Sequence, residues 1–336
     1  MVSIQTIRAS NETALPTSIP QGVTAVFIGA SSGIGQAALK QFITAAKGKS
    51  PHVYIVGRSA TKSEPLLEEL HRTDQSAVIH FIEKDVSLLR DVDAATEFVK
   101  KHETKVDLLF LSVGFISFEG RKDTVEGLEP SMTTRFYSRA RAIQQLLPLL
   151  NNSENPHVNN VAAGGLEGPM LTDDLGLIKP GNYSLPRAAA HSTSMLTLTL
   201  ERWAKENPKI SFIHSFPGLT NTPLLYRGSS GITGFILQNI IAPFINTFIA
   251  SRVEDVGARS LFHATNARYT VDETASLSAA KPAGLEKAPV TEGGIFLVND
   301  KSEGAGDEKV LAELRSSSAD LVAAHLEEVF SIVARP

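Results

Sequence analysis

The chain of 336 residues contains no cysteine and no long run of charge of one sign. The lack of cysteine excludes disulfide bonds, thiolate nucleophiles and cysteine-ligated metal sites. The formal net charge is −4, and extended Lys or Arg tracts are missing. Proteins that hold a nucleic-acid backbone carry a strongly basic surface. We therefore expect no nucleic-acid partner.

The first residues also lack the basic and then apolar pattern of a secretory signal, because Glu12, Pro16 and Pro20 interrupt them. Internal repeats and low-complexity tracts are absent as well. With 42% hydrophobic residues, the chain is long enough to bury a full α/β core. These features predict a soluble cytoplasmic protein.

What the sequence does contain is an alternation of apolar, strand-like runs with segments of helical periodicity. The strand-like runs are residues 23–27, 53–56, 77–82, 106–111, 157–162 and 210–215. The helical segments are residues 34–47, 61–72, 88–103, 128–150, 184–206 and 253–265. This alternation predicts an α/β fold, a Rossmann-like doubly wound parallel sheet with helices on both faces. A last strand at 293–298 and a terminal helix at 307–334 are expected in a C-terminal extension.

The most informative segment is Ile28–Gly35, which follows the first strand-like run and precedes a helical pattern. Glycine permits backbone angles and a close approach that a side chain would block, and the amides of a helix N-terminus attract an anion. The segment therefore predicts a cradle for a nucleotide phosphate rather than an ordinary glycine-rich loop. The residues expected to bind the cofactor here are Gly29, Ser31, Ser32, Gly33, Ile34 and Gly35.

The order of the motifs resembles the short-chain dehydrogenase/reductase family over about residues 22–270. The landmarks are the glycine turn at 29–35, Gly57-Arg58-Ser59, Asp85-Val86, Ser112-Val113-Gly114, Asn182-Tyr183 and Pro217-Gly218 with Thr222. The segment from Gly127 to Leu150, the Asp173-Asp174-Leu175 stretch and the extended C-terminus further resemble fungal reductases that are often associated with secondary metabolism. The resemblance implies a Rossmann-fold oxidoreductase.

The end of the second strand bears on the choice of cofactor. An NAD enzyme usually places a carboxylate there, whereas residues 54–61 contain no acid. Arg58, with Ser59 and Lys62, is suited to a 2′-phosphate, because a guanidinium binds phosphate through charge-assisted hydrogen bonds. We therefore expect NADP(H), with a solvated surface arginine as the alternative.

By resemblance, Asp85 and Val86 would contact the adenine, and Gly114 would leave room for the cofactor backbone. For Asp85 the alternative is a cap on the helix that follows, a role for which Ser87 competes. Further cofactor contacts implied by the resemblance are Pro217, Gly218, Leu219 and Thr222.

The catalytic positions depart from the family, whose tetrad consists of an Asn, a Ser, a Tyr and a Lys. Only the tyrosine is kept, as Tyr183. Arg135 stands at the Asn position, Ala163 at the Ser position and Arg187 at the Lys position. We expect Tyr183 as the proton donor, Arg187 as the ribose and electrostatic anchor, and Arg135 near the oxyanion. Losing one oxyanion donor commonly costs about 10² to 10³ in rate, so a slow or altered reaction is expected.

Each of these assignments has a plainer alternative. Arg135 would otherwise lie with Arg139 and Arg141 on a solvated helix face, and Tyr183 would be a partly buried structural tyrosine. Pro186 fits only the first turn of a helix, so the Tyr183 to Arg187 spacing need not give the family's geometry.

Two histidines and two acids are further candidates for a part in the chemistry. The histidines His191 and His214 are expected to be structural, and the acids Asp173 and Asp174 to be solvated turn residues rather than bases.

Residues 231–250 are uncharged and rich in Ile, Phe and Leu, with polar interruptions that disfavour a membrane span. Family members place their substrate cover here, so we expect a lid at 219–252, with a peripheral membrane or homo-oligomer surface as alternatives. The predicted organisation is an N-terminal extension (1–21), a Rossmann-fold NADP-binding domain (22–270) and a C-terminal extension packed on it (271–336).

Together these features predict an NADP(H)-dependent oxidoreductase that acts on a ketone or alcohol of an apolar small molecule. Two alternatives remain open. The nucleotide-binding fold would catalyse a non-redox isomerisation or cyclisation, or it would serve as a regulator without turnover. No metal is expected.

Overall fold

A computed structural model describes residues 1–114, 120–220, 251–272 and 279–333. Within them, one parallel sheet has the strand order β3-β2-β1-β4-β5-β6-β7. The strands are β1 (Thr24–Ile28), β2 (His52–Gly57), β3 (Val78–Glu83), β4 (Leu108–Leu111), β5 (His157–Val161), β6 (Ser211–Ser215) and β7 (Phe296–Val298). This order confirms the predicted α/β, Rossmann-like doubly wound fold.

The described helices flank the sheet. They are α1 (Ile4–Ala9), α2 (Leu15–Ser18), α3 (Gly33–Ala45), α4 (Ala60–Thr73), α5 (Leu89–His102), α6 (Pro130–Met132), α7 (Ser138–Asn151), α8 (Leu185–Glu206), α9 (Val253–Thr265) and α10 (Glu308–Val333). Each helical segment expected from periodicity corresponds to one or more of them. The lid expected at 219–252 lies mostly outside the described residues.

The central strand β1 shows why both faces of the sheet are covered. Val26 and Ile28 lie in the apolar cluster formed with α5, α7, α8 and α10. Ala25 and Phe27 lie in the cluster on the other face, with residues of α3, α4 and α9. Successive side chains of a strand point to opposite faces, so a continuous apolar run requires a layer of helices on each.

The helix predicted at 128–150 is not a regular α-helix. It begins as α6, continues through a π-helical segment, Thr133–Tyr137, and ends as α7. The carboxylate of Glu129 caps its start by accepting hydrogen bonds from the amides of Ser131 (3.0 Å) and Met132 (2.8 Å). Arg135 lies in the middle of the π-helical segment, a feature that is frequent at functional sites.

Both terminal regions pack against the sheet domain. The sequence predicted no helix in residues 1–21, yet α1 and α2 form there, and Val2 and Ile7 are buried in a cluster with Phe262 and Phe296. At the other end, Leu311 and Leu326 of α10 join the largest apolar cluster.

The helix α10 is also tied to α8 by an ion pair. The guanidinium of Arg315 donates two hydrogen bonds of 2.7 Å to the carboxylate of Glu201, whose side chain is only 3% exposed. Glu201 also accepts a hydrogen bond of 2.8 Å from the Thr291 hydroxyl. A paired and hydrogen-bonded carboxylate of this kind is costly to remove.

We expect Glu201→Ala to lower the free energy of unfolding by about 2 to 4 kcal/mol, because Arg315 loses a buried partner. Urea denaturation measures the change. The matched control is Arg202→Ala, which removes exposed ion pairs with Glu206 on the same helix and with Glu327 of α10 and should cost less than about 1 kcal/mol. Equal losses in the two variants would contradict the assignment.

Candidate active site

A cavity of about 390 Å³ opens at the carboxyl ends of β1, β2 and β4. Doubly wound sheets bind their ligands at this edge, where the strand order reverses. Most of the predicted cofactor residues line it, namely Gly29, Ser31, Ser32, Gly33, Ile34, Arg58, Asp85, Val86 and Gly114. The geometry therefore brings together residues from four separate stretches of the sequence, as expected.

The floor of the cavity is the glycine turn between β1 and α3. A Cβ on Gly29, whose φ is +92°, would lie 2.4 Å from the backbone nitrogen of Val113. A Cβ on Gly35 would lie 2.2 Å from the Ser112 hydroxyl oxygen. Only glycine fits at either position, and the close packing holds the first amides of α3 at the edge of the cavity. This arrangement suits a pyrophosphate group.

At the carboxyl end of β2, the Arg58 side chain is exposed and lines the cavity. Among the described residues it forms no ion pair or hydrogen bond. Ser59 does not line the cavity. Its hydroxyl caps α4 by accepting a hydrogen bond of 3.3 Å from the Lys62 amide. Arg58 is therefore a cationic side chain at this end that is not engaged elsewhere in the described structure.

The alternative role proposed for Asp85 and Ser87, a cap on α5, is wrong. The first amides of α5, those of Leu89 and Arg90, donate to the Glu126 carboxylate at 2.6 and 3.0 Å. The Asp85 carboxylate instead accepts a hydrogen bond of 3.0 Å from the Ser87 amide, which fixes a tight turn beside the cavity. The helix α5 is therefore capped by Glu126, which is distant in sequence, and the residues next to the helix do not indicate this.

Tyr183 precedes α8 rather than lying in it, because Ser184 is the N-cap and Pro186 occupies the first turn. Its hydroxyl oxygen is buried and has no well-formed hydrogen bond in the described structure. Burial, reinforced by the Glu129 carboxylate, raises the pKa of Tyr183 to about 12, although the charge of Arg135 opposes this rise. The hydroxyl is therefore protonated at neutral pH.

Glu129 was not among the predicted site residues, yet its carboxylate acts on both Tyr183 and Arg135. Arg135 is half-buried, and burial lowers the pKa of its guanidinium while the Glu129 carboxylate acts in the opposite direction. Pro130 and Thr134, which adjoin Glu129 and Arg135 in the chain, line the cavity, whereas Glu129, Arg135 and Tyr183 are not among its lining residues. The Glu-Pro pair at a helix start was the available signal, but the helix was predicted to begin at residue 128, two residues before Pro130.

Arg187 lies apart from this group. Its side chain is exposed, and its guanidinium donates hydrogen bonds to the carbonyl oxygens of Gly181 (3.3 Å) and Asn182 (3.0 Å). It does not line the described cavity. The charges that act on the pKa of Tyr183 are those of Glu129, Arg135 and Arg121. Arg187, which was expected to lower this pKa, is not among them.

The solvated face proposed for Arg135, Arg139 and Arg141 is also wrong. Arg139 is 2% exposed, and its guanidinium donates hydrogen bonds to the carbonyl oxygens of Leu111 (2.9 Å), Val113, Val161 (3.0 Å) and Thr134 (3.0 Å). Burial lowers the pKa of Arg139 to about 9, which leaves it charged at neutral pH.

Arg141 is paired instead with Asp93 at 2.6 Å and lies over the ring of Phe330. Its partners therefore differ from those of Arg139, which is hydrogen-bonded to residues that line the cavity.

The remaining polar candidates have structural roles. His191 accepts a hydrogen bond of 2.9 Å from the Leu171 amide, and His214 accepts one of 3.3 Å from the Ala163 amide. Burial lowers the pKa of His214 to about 3. Asp174 is 8% exposed, and its carboxylate accepts hydrogen bonds from the amides of Ile178 and Lys179 at 2.8 and 2.9 Å. It therefore stabilises its own loop and is not a solvated residue.

The segment after β6 lies at the edge of the description. Pro217, Gly218 and Leu219 do not line the cavity, and Thr222 falls outside the described residues. Across the parts of the chain that are described, no cluster of acids and histidines forms a metal site. No helix among the same residues has the length and apolar character needed to cross a membrane.

A parallel sheet with a glycine-bounded phosphate cradle at its carboxyl edge defines a nucleotide-binding protein of the Rossmann type. The family model described as short chain dehydrogenase matches residues 23–227. The chain belongs to this family of oxidoreductases, as its motifs suggested.

The curated relatives include fungal proteins of similar length. The NmrA-like family domain-containing oxidoreductase notO of Aspergillus sp. is 43% identical over 95% of this chain and 92% of that protein. Oxidoreductase AN1596 of Emericella nidulans is 38% identical over 98% of each.

Solved structures share the fold at low identity. The NADPH-bound carbonyl reductase from chicken fatty liver has a TM-score of 0.52 and 15% identity, covering 86% of this chain and 100% of that one. The short-chain dehydrogenase from Sphingobium yanoikuyae, in complex with NADPH, has a TM-score of 0.51 and 16% identity over 78% and 89%.

We expect Gly29→Ala to destabilise the fold by at least about 2 kcal/mol more than Gly22→Ala. Both glycines have positive φ, but a Cβ on Gly22 meets nothing within 4 Å, so the control isolates the collision with Val113 from the conformational strain. Urea denaturation of the two variants measures the difference. Equal destabilisation of the two variants would contradict the close contact between Gly29 and the backbone of Val113.

Proposed function

We propose that the protein is an NADP(H)-dependent oxidoreductase that interconverts a ketone and an alcohol on an apolar small molecule. The observation that carries the proposal is the Arg58 guanidinium on the cavity wall at the carboxyl end of β2, with no carboxylate paired to it among the described residues. An NAD site places an acid near this position, whereas arginine matches a 2′-phosphate. The NADPH complexes of the structural relatives support this choice.

The residues present fit such a cofactor. The glycine turn leaves room for a pyrophosphate against the first amides of α3, and Arg58 lies at one end of the cavity. The other end is formed by Val113 and Gly114 with Pro130 and Thr134. The adenosine end would therefore lie at Arg58 and the nicotinamide end near the π-helical segment. When bound, the cofactor supplies or accepts the hydride.

Tyr183 is the proton donor of the proposed reduction. Its pKa of about 12 keeps the hydroxyl protonated, so it can give a proton to the alkoxide oxygen that forms when the carbonyl carbon is reduced. Arg135 would stabilise the same oxygen, in place of the hydroxyl that Ala163 does not have. The role of Arg187 as ribose anchor stays a prediction.

An apolar substrate is favoured by the loops around the site. Large apolar side chains are exposed in the loop that follows β5, where Leu166 is 54% and Ile178 is 66% exposed, and after β6, where Leu219 is 55% exposed. These loops leave the carboxyl edge of the sheet, at which the cavity opens. None of the three side chains lines the described cavity, and we propose them as substrate contacts because their loops leave the same edge of the sheet.

Arg58→Ala should raise the dissociation constant for NADPH about tenfold to a hundredfold and leave that for NADH nearly unchanged, because a charge-assisted contact with the 2′-phosphate is lost. Isothermal titration calorimetry measures both constants. The control is Arg72→Ala, which removes an exposed arginine of α4 and should change neither dissociation constant. An equal loss for the two coenzymes would count against a 2′-phosphate contact.

Tyr183→Phe should abolish most of the reduction, measured as loss of the near-ultraviolet absorbance of NADPH together with formation of the alcohol. In the unaltered protein, no fall in kcat/KM due to Tyr183 is expected between about pH 6 and 9, since its raised pKa keeps the proton in place. Tyr54→Phe, at a tyrosine bonded to Glu103 away from the cavity, is the control.

Three results would contradict this proposal. Unchanged turnover of Tyr183→Phe would remove the residue from the mechanism. An isomeric product without NADPH consumption would favour the non-redox alternative, and tight NADPH binding without any product would favour a regulator.

A further inference from the structure

The charges at the nicotinamide end of the cavity are unequal. Arg139 donates hydrogen bonds to the carbonyl oxygens of Val113 and Thr134, which line this end, and Arg135 follows Thr134 in the chain. Neither arginine forms an ion pair with a carboxylate in the described parts of the chain. Arg139 satisfies its donors with carbonyl oxygens at the ends of β4 and β5 and in the π-helical segment. Carbonyl groups orient their dipoles toward a cation but do not cancel its charge.

The neighbouring groups leave a net positive charge. Glu129 supplies one negative charge near Arg135, and Arg121 is paired with Asp123 at 2.8 Å. Tyr183 is protonated, and burial lowers the pKa of His191 and His214, so all three are neutral at pH 7. Arg135 and Arg139 therefore contribute two neighbouring positive charges, against one negative charge from Glu129.

The two forms of the coenzyme differ in charge at the ring. The oxidised nicotinamide is a cationic pyridinium, whereas the reduced ring is neutral. A low-dielectric site with an excess of positive charge repels the oxidised ring and leaves the reduced ring unaffected. The location of the ring follows from the cradle and from Arg58, which take the pyrophosphate and the opposite end.

We infer that Arg135 and Arg139 make this site selective for the reduced coenzyme, so that the protein binds NADPH more tightly than NADP⁺. The inference rests on the proposed function but adds the redox state of the coenzyme that the site prefers, which the cofactor-binding motifs leave open.

The test is calorimetric titration of the full chain with NADPH and with NADP⁺, without substrate. We expect the dissociation constant for NADP⁺ to exceed that for NADPH by about tenfold or more. Arg135→Gln should reduce this ratio about threefold or more, mainly through tighter binding of NADP⁺. Arg141→Gln is the control on the same helical stretch, because Arg141 is paired with Asp93, and it should leave the ratio unchanged.

Arg139→Lys keeps a positive charge but loses the planar fork that reaches several carbonyl groups, so it should retain the ratio even if the fold is less stable. Equal affinity of the unaltered protein for the two coenzymes would overturn the inference while leaving the proposed function intact. A ratio that survives in Arg135→Gln would also overturn it. If neither coenzyme binds, the inference and the proposed function fail together.

Discussion

The guanidinium of Arg139 holds the carboxyl edge of the sheet together. Its hydrogen bonds reach the carbonyl oxygens of Leu111, Val113 and Val161, and that of Thr134 in the π-helical segment. The same edge carries the close contact of Gly29 with the backbone of Val113. The wall of the cavity and the placement of Arg135 therefore depend on one buried cation that spans two strands and a helix.

The structure separates the residues that were expected at the positions of the family tetrad. Arg187, expected at the lysine position, donates hydrogen bonds to carbonyl groups of its own loop. Burial, reinforced by the Glu129 carboxylate, raises the pKa of Tyr183 against the opposing charges of Arg135 and Arg121. The tyrosine is therefore held protonated, which suits a donor better than a base.

The predictable part of the molecule followed from local patterns. The alternation of strands and helices and the glycine turn after β1 depend on residues that are close in sequence, so periodicity and backbone conformation were sufficient. Arg58 could be placed at the cavity because a residue just beyond a strand must lie at the sheet edge.

The errors concerned partners that are distant in sequence. Nothing local indicated that Glu126 would cap α5, that Arg139 would be buried, or that Glu129 would approach Tyr183.

The sequence by itself therefore determined the fold, the family, the cradle and the arginine suited to a 2′-phosphate. Only the tertiary structure decided which charges act on Tyr183 and which arginines are buried. The physical reason is that backbone conformation is set within a few residues, whereas burial and electrostatic effects depend on every group that the fold brings near. The π-helical segment carries Arg135, whose charge acts on Tyr183, whereas Arg187 lies in the first turn of α8 and is hydrogen-bonded to its own loop.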